Sequence, residues 1–226
     1  MALLTAALVL YFFDSEKLNF TTAMEQGFGG VFLWVVWLAL AVPMVFRLVP
    51  NRRLAMGARK HFACSYAPAA AEIDAGQVRK SAKQLHKGAF LSGLGWFLIT
   101  GAALFALSRL GMLSPPVVLL IALGYAIVDL VFVLFFCPFR ALFMRNRCCV
   151  TCRIHNWDYF MKCAPLMLFP SVYSISLVLL AAAVVVSWEV ALRRNPHYFL
   201  RETNRNLSCV ACVDKLCRLK STKDSD

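Results

Sequence analysis

Nine cysteines occur in this chain of 226 residues, and seven of them crowd into residues 137–152 and 209–217. Cys137 precedes a proline. Cys148, Cys149 and Cys152 form Cys-Cys-Val-Thr-Cys, and Cys209, Cys212 and Cys217 form Cys-Val-Ala-Cys-Val-Asp-Lys-Leu-Cys. A C-x-x-C spacing lets a tight turn bring two thiolates to one metal ion, and two such pairs complete a four-sulfur zinc site or hold part of an iron–sulfur cluster. Cys149/Cys152 and Cys209/Cys212 are such pairs, with Cys148 a substitute ligand in the first, and Cys209, Cys212 and Cys217 either complete that site or form one of their own. Arg145, Arg147, Arg153, Lys215 and Arg218 surround them and favour the thiolate form. Two other chemistries fit the same residues. The clusters can form disulfides or exchange thiols, and cysteine is also a common buried small hydrophobe, which is how Cys64 and Cys163 are read.

A second candidate is a carboxylate where none is expected. Asp129 interrupts an apolar run, with Tyr125 one helical turn before it. A carboxylate inside a membrane is costly and should face the bundle interior or a water-filled cavity, where it carries protons, binds a cation, or packs as a protonated or hydrogen-bonded group. Glu189 lies at the end of another apolar run and reads as solvated at the interface. None of His61, His86, His155 and His197 falls in an apolar run, so no haem is expected, because a transmembrane b-type haem takes its histidines from spanning helices. Trp157, Tyr159 and Phe160, flanked by Arg153 and Lys162, read as a helix lying on the membrane surface, and Trp188 as part of an aromatic belt.

The elements that must position these residues follow from composition. The chain is 60% hydrophobic and only 16% charged, with a mean hydropathy of +0.66, whereas soluble domains run nearer half apolar and a quarter charged. Residues 27–46 and 88–108 carry no charge, residues 117–136 carry only Asp129, and residues 163–188 carry none. Each is long enough to cross a hydrocarbon core of about 30 Å. Residues 2–13 are apolar too, but twelve residues reach only about 18 Å, so they read as an interfacial or partly inserted helix. The net charge of +12 is not a nucleic-acid footprint, because no recognition motif accompanies it. The basic residues flank apolar runs, as topology signals and contacts for anionic lipids do.

Residues 109–116 make a short connector, so the second and third runs form an antiparallel hairpin and residues 47–87 and 137–162 share one side. Those two segments hold fourteen Lys and Arg, which the positive-inside rule places in the cytoplasm. The tail is in conflict with this. It holds eight more, which argues for the cytoplasm, yet four simple crossings put it outside. A re-entrant 163–188, broken near Pro165 and Pro170, would reconcile the two. Twenty-six residues are too few for two full crossings, so we read a true fourth span with the tail on the far side.

The stretch Phe136-Cys-Pro-Phe-Arg-Ala-Leu, with Arg147-Cys-Cys-Val-Thr-Cys-Arg-Ile and Cys163-Ala-Pro, resembles membrane-anchored ferredoxin-type proteins, although their C-x-x-C-x-x-C-x-x-x-C-P run is missing. Residues 147–159, with Glu202-Thr-Asn and 207–217, resemble an uncharacterised family of bacterial multi-pass membrane proteins over about a third of the chain. That family carries no activity to transfer, and the resemblance implies the bacterial cytoplasmic membrane.

The expected fold is all-α, a polytopic bundle of about four spanning helices with interfacial helices. It comprises an N-terminal segment (1–26), a transmembrane domain (27–192) and a basic cysteine-containing tail (193–226). Two functions fit. One is a cysteine-ligated iron–sulfur or zinc module that serves a membrane or redox partner. The other is a small transporter or scaffold with structural cysteines.

Overall fold

The computed structural model of the chain describes residues 2–22, 27–49, 66–69, 74–135, 137–144 and 152–207. Cys148, Cys149, Cys209, Cys212 and Cys217 lie outside the described residues. Among those described, the regular elements are helical, with one isolated bridge between Pro68 and Asn204. They are α1 (Ala2–Asp14), α2 (Gly27–Leu48), α3 (Ala75–Arg109), α4 (Pro115–Leu134), α5 (Asp158–Cys163) and α6 (Val172–Arg194), joined by short 3-10 and π turns. Helices α2, α3, α4 and α6 are each long and apolar enough to cross a membrane. The protein is a multi-pass, all-α membrane protein.

Local chemistry sets the boundaries. Asp74 caps α3 by accepting from the Gly76 amide at 3.1 Å. At the far end the chain turns through Gly111, whose φ of +69° suits a residue without Cβ. Pro115 and Pro116 open α4, where the missing N–H costs nothing. Ser171 and Ser174 form a reciprocal cap at the start of α6.

Helices α2 and α6 form the centre. Leu33, Val36, Leu40 and Met44 on one and Tyr173, Leu177, Ala181 and Val184 on the other are buried stripes at helical spacing. Trp37 Nε1 donates to Ser176 Oγ across them at 2.9 Å. The residues between point outward: Val35, Leu38 and Val42 on α2, and Phe97, Leu98, Ile99 and Phe105 on α3, are exposed apolar side chains, as lipid-facing positions require.

The ends of the helices sort into two faces. Phe20, just before α2, stacks on Tyr173 at the start of α6, with ring centroids 5.5 Å apart. At the other end Arg47 of α2 bonds Asn156 and Asp158, and Trp188 of α6 donates to the Arg153 carbonyl at 2.6 Å. Helices α2 and α6 are therefore parallel. Near that second end α4 places Asp129 against Lys162, and α3 passes Gly88 beside Phe143 and Gly93 beside Trp157. Since α4 ends on the face where α6 ends, the chain must cross once more before α6 begins. Residues 158–171 run from that end of the bundle toward the other as α5, a 3-10 turn (Ala164–Leu168) and the non-helical residues 169–171. Such a segment reaches about 30 Å, enough for the hydrocarbon core. Protein covers the first part of its irregular backbone, with Cys163, Pro165 and Leu166 buried, while Met167, Leu168 and Pro170 are exposed.

This corrects the reading of 163–188 as one span with the tail on the far side. The fourth regular span runs Val172–Arg194, and the stretch before it is a separate, broken crossing. The tail turns back onto the face of the loops. The Ala69 amide donates to the Thr203 carbonyl and the Arg205 amide to the Ala67 carbonyl. The charge conflict disappears, because twenty-two of the 24 Lys and Arg belong to segments attached to this one face.

Candidate functional site

Two ion-pair groups occupy the basic end of the bundle. The first links three elements. Asp158, at the start of α5, accepts from Arg47 Nη1 of α2 at 2.8 Å and from Lys162 Nζ at 3.0 Å. Lys162 Nζ also donates to Asp129 Oδ2 of α4 at 3.0 Å. Tyr159 lies beneath both cations, with the Arg47 guanidinium 4.4 Å and the Lys162 ammonium 4.3 Å from its ring centre. The charges alternate in sign and sum to zero, so their removal from water is offset within the group. Arg47, Asp158 and Lys162 have side chains at most 10% exposed, while Asp129 is 27% exposed.

The second group holds the tail end of α6. Arg153, buried, donates to Glu189 at 2.7 Å, and Trp157 Nε1 donates to the other Glu189 oxygen at 2.9 Å. Glu189 is therefore bonded inside the bundle rather than solvated at an interface. Trp188 is fully buried rather than part of a belt. Helix α5 with Tyr159 is an interior element rather than a surface helix, since two charged side chains from two helices converge on it.

Asp129 does face a cavity, of about 110 Å³, lined also by Trp96, Tyr125, His155 and Lys162. Tyr125 lines the same space but bonds elsewhere: its hydroxyl pairs with Thr100 Oγ1 at 2.8 Å and its ring approaches Trp96. The spacing that suggested an Asp129–Tyr125 pair instead puts one residue on the ion-pair group and the other on α3. Burial, together with the nearby Arg47 guanidinium, holds the His155 imidazole down at about 4, so it is neutral at pH 7.

Cys152 is the one proposed metal ligand that is described. It is buried with Ala89 and Met144 in a small apolar cluster and lines the Asp129 cavity with Cys137. Cys163 is buried as well, in the main core. Among the described residues no three His, Cys, Asp or Glu converge as a metal would need.

Sequence reasoning missed Arg47, Asp158 and Lys162 as a group. Arg47 and Lys162 read from the sequence only as basic residues near the ends of apolar runs, and Asp158 stands out in no way. The one signal was the Asp158/Lys162 spacing of four, which puts an acid and a base on one face of a helix.

Compared with protein families, with characterised proteins and with solved structures, the chain matches none of them.

Proposed function

We propose that the protein is a membrane-embedded module whose two C-x-x-C pairs share one metal site, zinc or an iron–sulfur cluster, on the cytoplasmic face. Cys149 and Cys152 supply one pair and Cys209 and Cys212 the other, with Cys148 and Cys217 in reserve. Such a site would serve a membrane or redox partner. A bacterial cytoplasmic membrane fits both the one-sided charge and the family resemblance.

The observation that carries this reading is the main-chain pairing of 67–69 with 203–205, four residues before Cys209. It brings residues 203–205 against residues 67–69 of the first loop, which favours a tail on the side of the loops and so a site that draws on both pairs. Cys152 would have to turn out of its apolar cluster, and Cys148 is the replacement where it stays buried.

The test is elemental analysis and absorbance near 400 nm on protein purified without oxygen or chelator. We expect about one zinc per chain, or iron with sulfide, lost in Cys149→Ser and in Cys209→Ser alike. Less than about one ion per ten chains rejects the reading, because structural sites hold their metal far more tightly. Loss in only one of the two variants rejects the shared site.

A second reading rests on the Asp129 cavity. A partly exposed carboxylate beside a buried lysine can pass a proton or hold a small cation. In that case the protein is a small transporter with structural cysteines, and Asp129→Asn abolishes proton or cation flux in proteoliposomes.

A further inference from the structure

A larger cavity, of about 640 Å³, opens on the basic end of the bundle, within the 300–1,000 Å³ typical of ligand pockets. Its walls are zoned. Lys87, Arg153 and Arg201 with Ser81 and Gln84 make the polar part, against a single acid, Glu202. Leu91, Leu142, Phe143, Met144 and Leu200 make the apolar part. The zones follow depth. Ser81, Gln84, Lys87, Gly88 and Leu91 fall on one face of α3, and the change from polar to apolar comes at Gly88, where the uncharged run begins. The apolar wall is open, since Leu91, Leu142 and Phe143 are exposed and Leu142 is 70% so. Arg153 is paired with Glu189, but its Nε and Nη1 are buried without a partner, so positive charge lies close behind the wall.

We infer that this cavity binds the phosphodiester of an anionic phospholipid, with the headgroup at Lys87 and Arg201 and the glycerol and upper acyl chain along Leu91, Leu142 and Phe143. Charge complementarity selects the anion, since Lys87 and Arg201 face one carboxylate, Glu202, with the Arg153–Glu189 pair behind them. The exposed apolar wall selects a lipid over a soluble phosphate, which would gain nothing from contact with Leu142 and Phe143. Lys80 and Lys83 lie on the same stretch of α3 but do not line the cavity, so they provide an internal control for the diffuse charge of the face.

Native mass spectrometry of the delipidated full chain in detergent, titrated with dioleoyl phosphatidylglycerol, tests the assignment. One lipid should bind about tenfold or more tightly than dioleoyl phosphatidylcholine. The double variant Lys87→Gln/Arg201→Gln should bind both lipids alike, while Lys80→Gln/Lys83→Gln keeps the preference. The charge-preserving Lys87→Arg/Arg201→Lys should keep it too, which separates loss of the site from loss of the fold. Equal binding of the two lipids by the unsubstituted chain, or equal loss in the Lys80/Lys83 control, overturns the site. Displacement of the lipid by glycerol 3-phosphate at matched concentration overturns the lipid and leaves a soluble phosphate as the ligand.

Discussion

Two aspartates share Lys162, and they differ in what else they hold. Asp158 balances both Arg47 and Lys162 and is 9% exposed, whereas Asp129 balances Lys162 alone and is 27% exposed. Removing one partner of a buried ion pair costs about 3–5 kcal/mol, because the other charge is left uncompensated. Asp158→Asn takes the carboxylate from the buried Arg47 as well as one of the two from Lys162, and should lower the thermal unfolding midpoint in detergent by about 10 °C, at roughly 2–4 °C per kcal/mol for a chain of this size. Asp129→Asn leaves Lys162 paired with Asp158 and should cost about 1 kcal/mol, a few degrees. Equal losses would mean that Asp158 is not the centre of the group. A stable Asp129→Asn chain also gives the transport reading its clean test, since any lost flux then reports on the carboxylate and not on folding. Asp129 was legible in the sequence because a charge within an apolar run is anomalous by itself. Its partner was not, because Lys162 lies 33 residues further on and nothing local distinguishes it from a flanking lysine.

At the scale of elements, the contact of α3 with the π turn Arg140–Met144 depends on Gly88. A Cβ there would stand 2.7 Å from the Phe143 carbonyl oxygen and 3.0 Å from the Met144 sulfur. The sulfur can swing aside, but the carbonyl is main chain and cannot. Gly88→Ala should therefore push the turn off the helix and cost about 1–3 kcal/mol, read as a lower unfolding midpoint. Gly101 is the control on the same helix, with nothing within 4 Å of its Cβ position. Gly101→Ala should be neutral or stabilising, because glycine in a helix interior costs up to about 1 kcal/mol relative to alanine. The same destabilisation in both variants would remove close packing as the cause. The spans themselves were legible, since length and lack of charge identify α2, α4 and the end of α3 within a few residues, although α3 begins at Ala75, well before its uncharged run. The broken crossing was not. Pro165 and Pro170 interrupt the helix without adding charge, so 163–171 and the first part of α6 merge into one apolar run. What separates them is tertiary: Lys162 is anchored near one end of the bundle by Asp129 and Asp158, and Tyr173 near the other by Phe20.

For the whole molecule, the path of residues 158–171 bears on whether the two cysteine clusters can share a side. Four regular spans alone would divide the chain's charge between two sides and set 148–152 and 209–217 apart. A crossing by residues 158–171 beside the four long apolar helices would make five passes, of which one lacks a continuous helix. All the basic segments then share a side, and only Lys17 and Arg109 remain with the other face. This agrees with the positive-inside rule, which acts through short basic segments near span ends. The arrangement has a direct test that does not depend on the cysteines binding metal. In a chain whose native cysteines are replaced by serine, Ser114→Cys at the hairpin tip and Ser171→Cys before α6 should both react with an impermeant maleimide in whole cells. Asn195→Cys, just after α6, should react only after lysis, and a fluorescent protein fused after Asp226 should fluoresce while an alkaline phosphatase fusion stays inactive. Labelling of Asn195→Cys from outside would place the tail with the hairpin tip and end the shared metal site. Protection of Ser171→Cys with labelling of Ser114→Cys would mean that 158–171 does not reach the far face, in which case the ion pairs of Asp158 and Lys162 hold a re-entrant loop instead of a crossing.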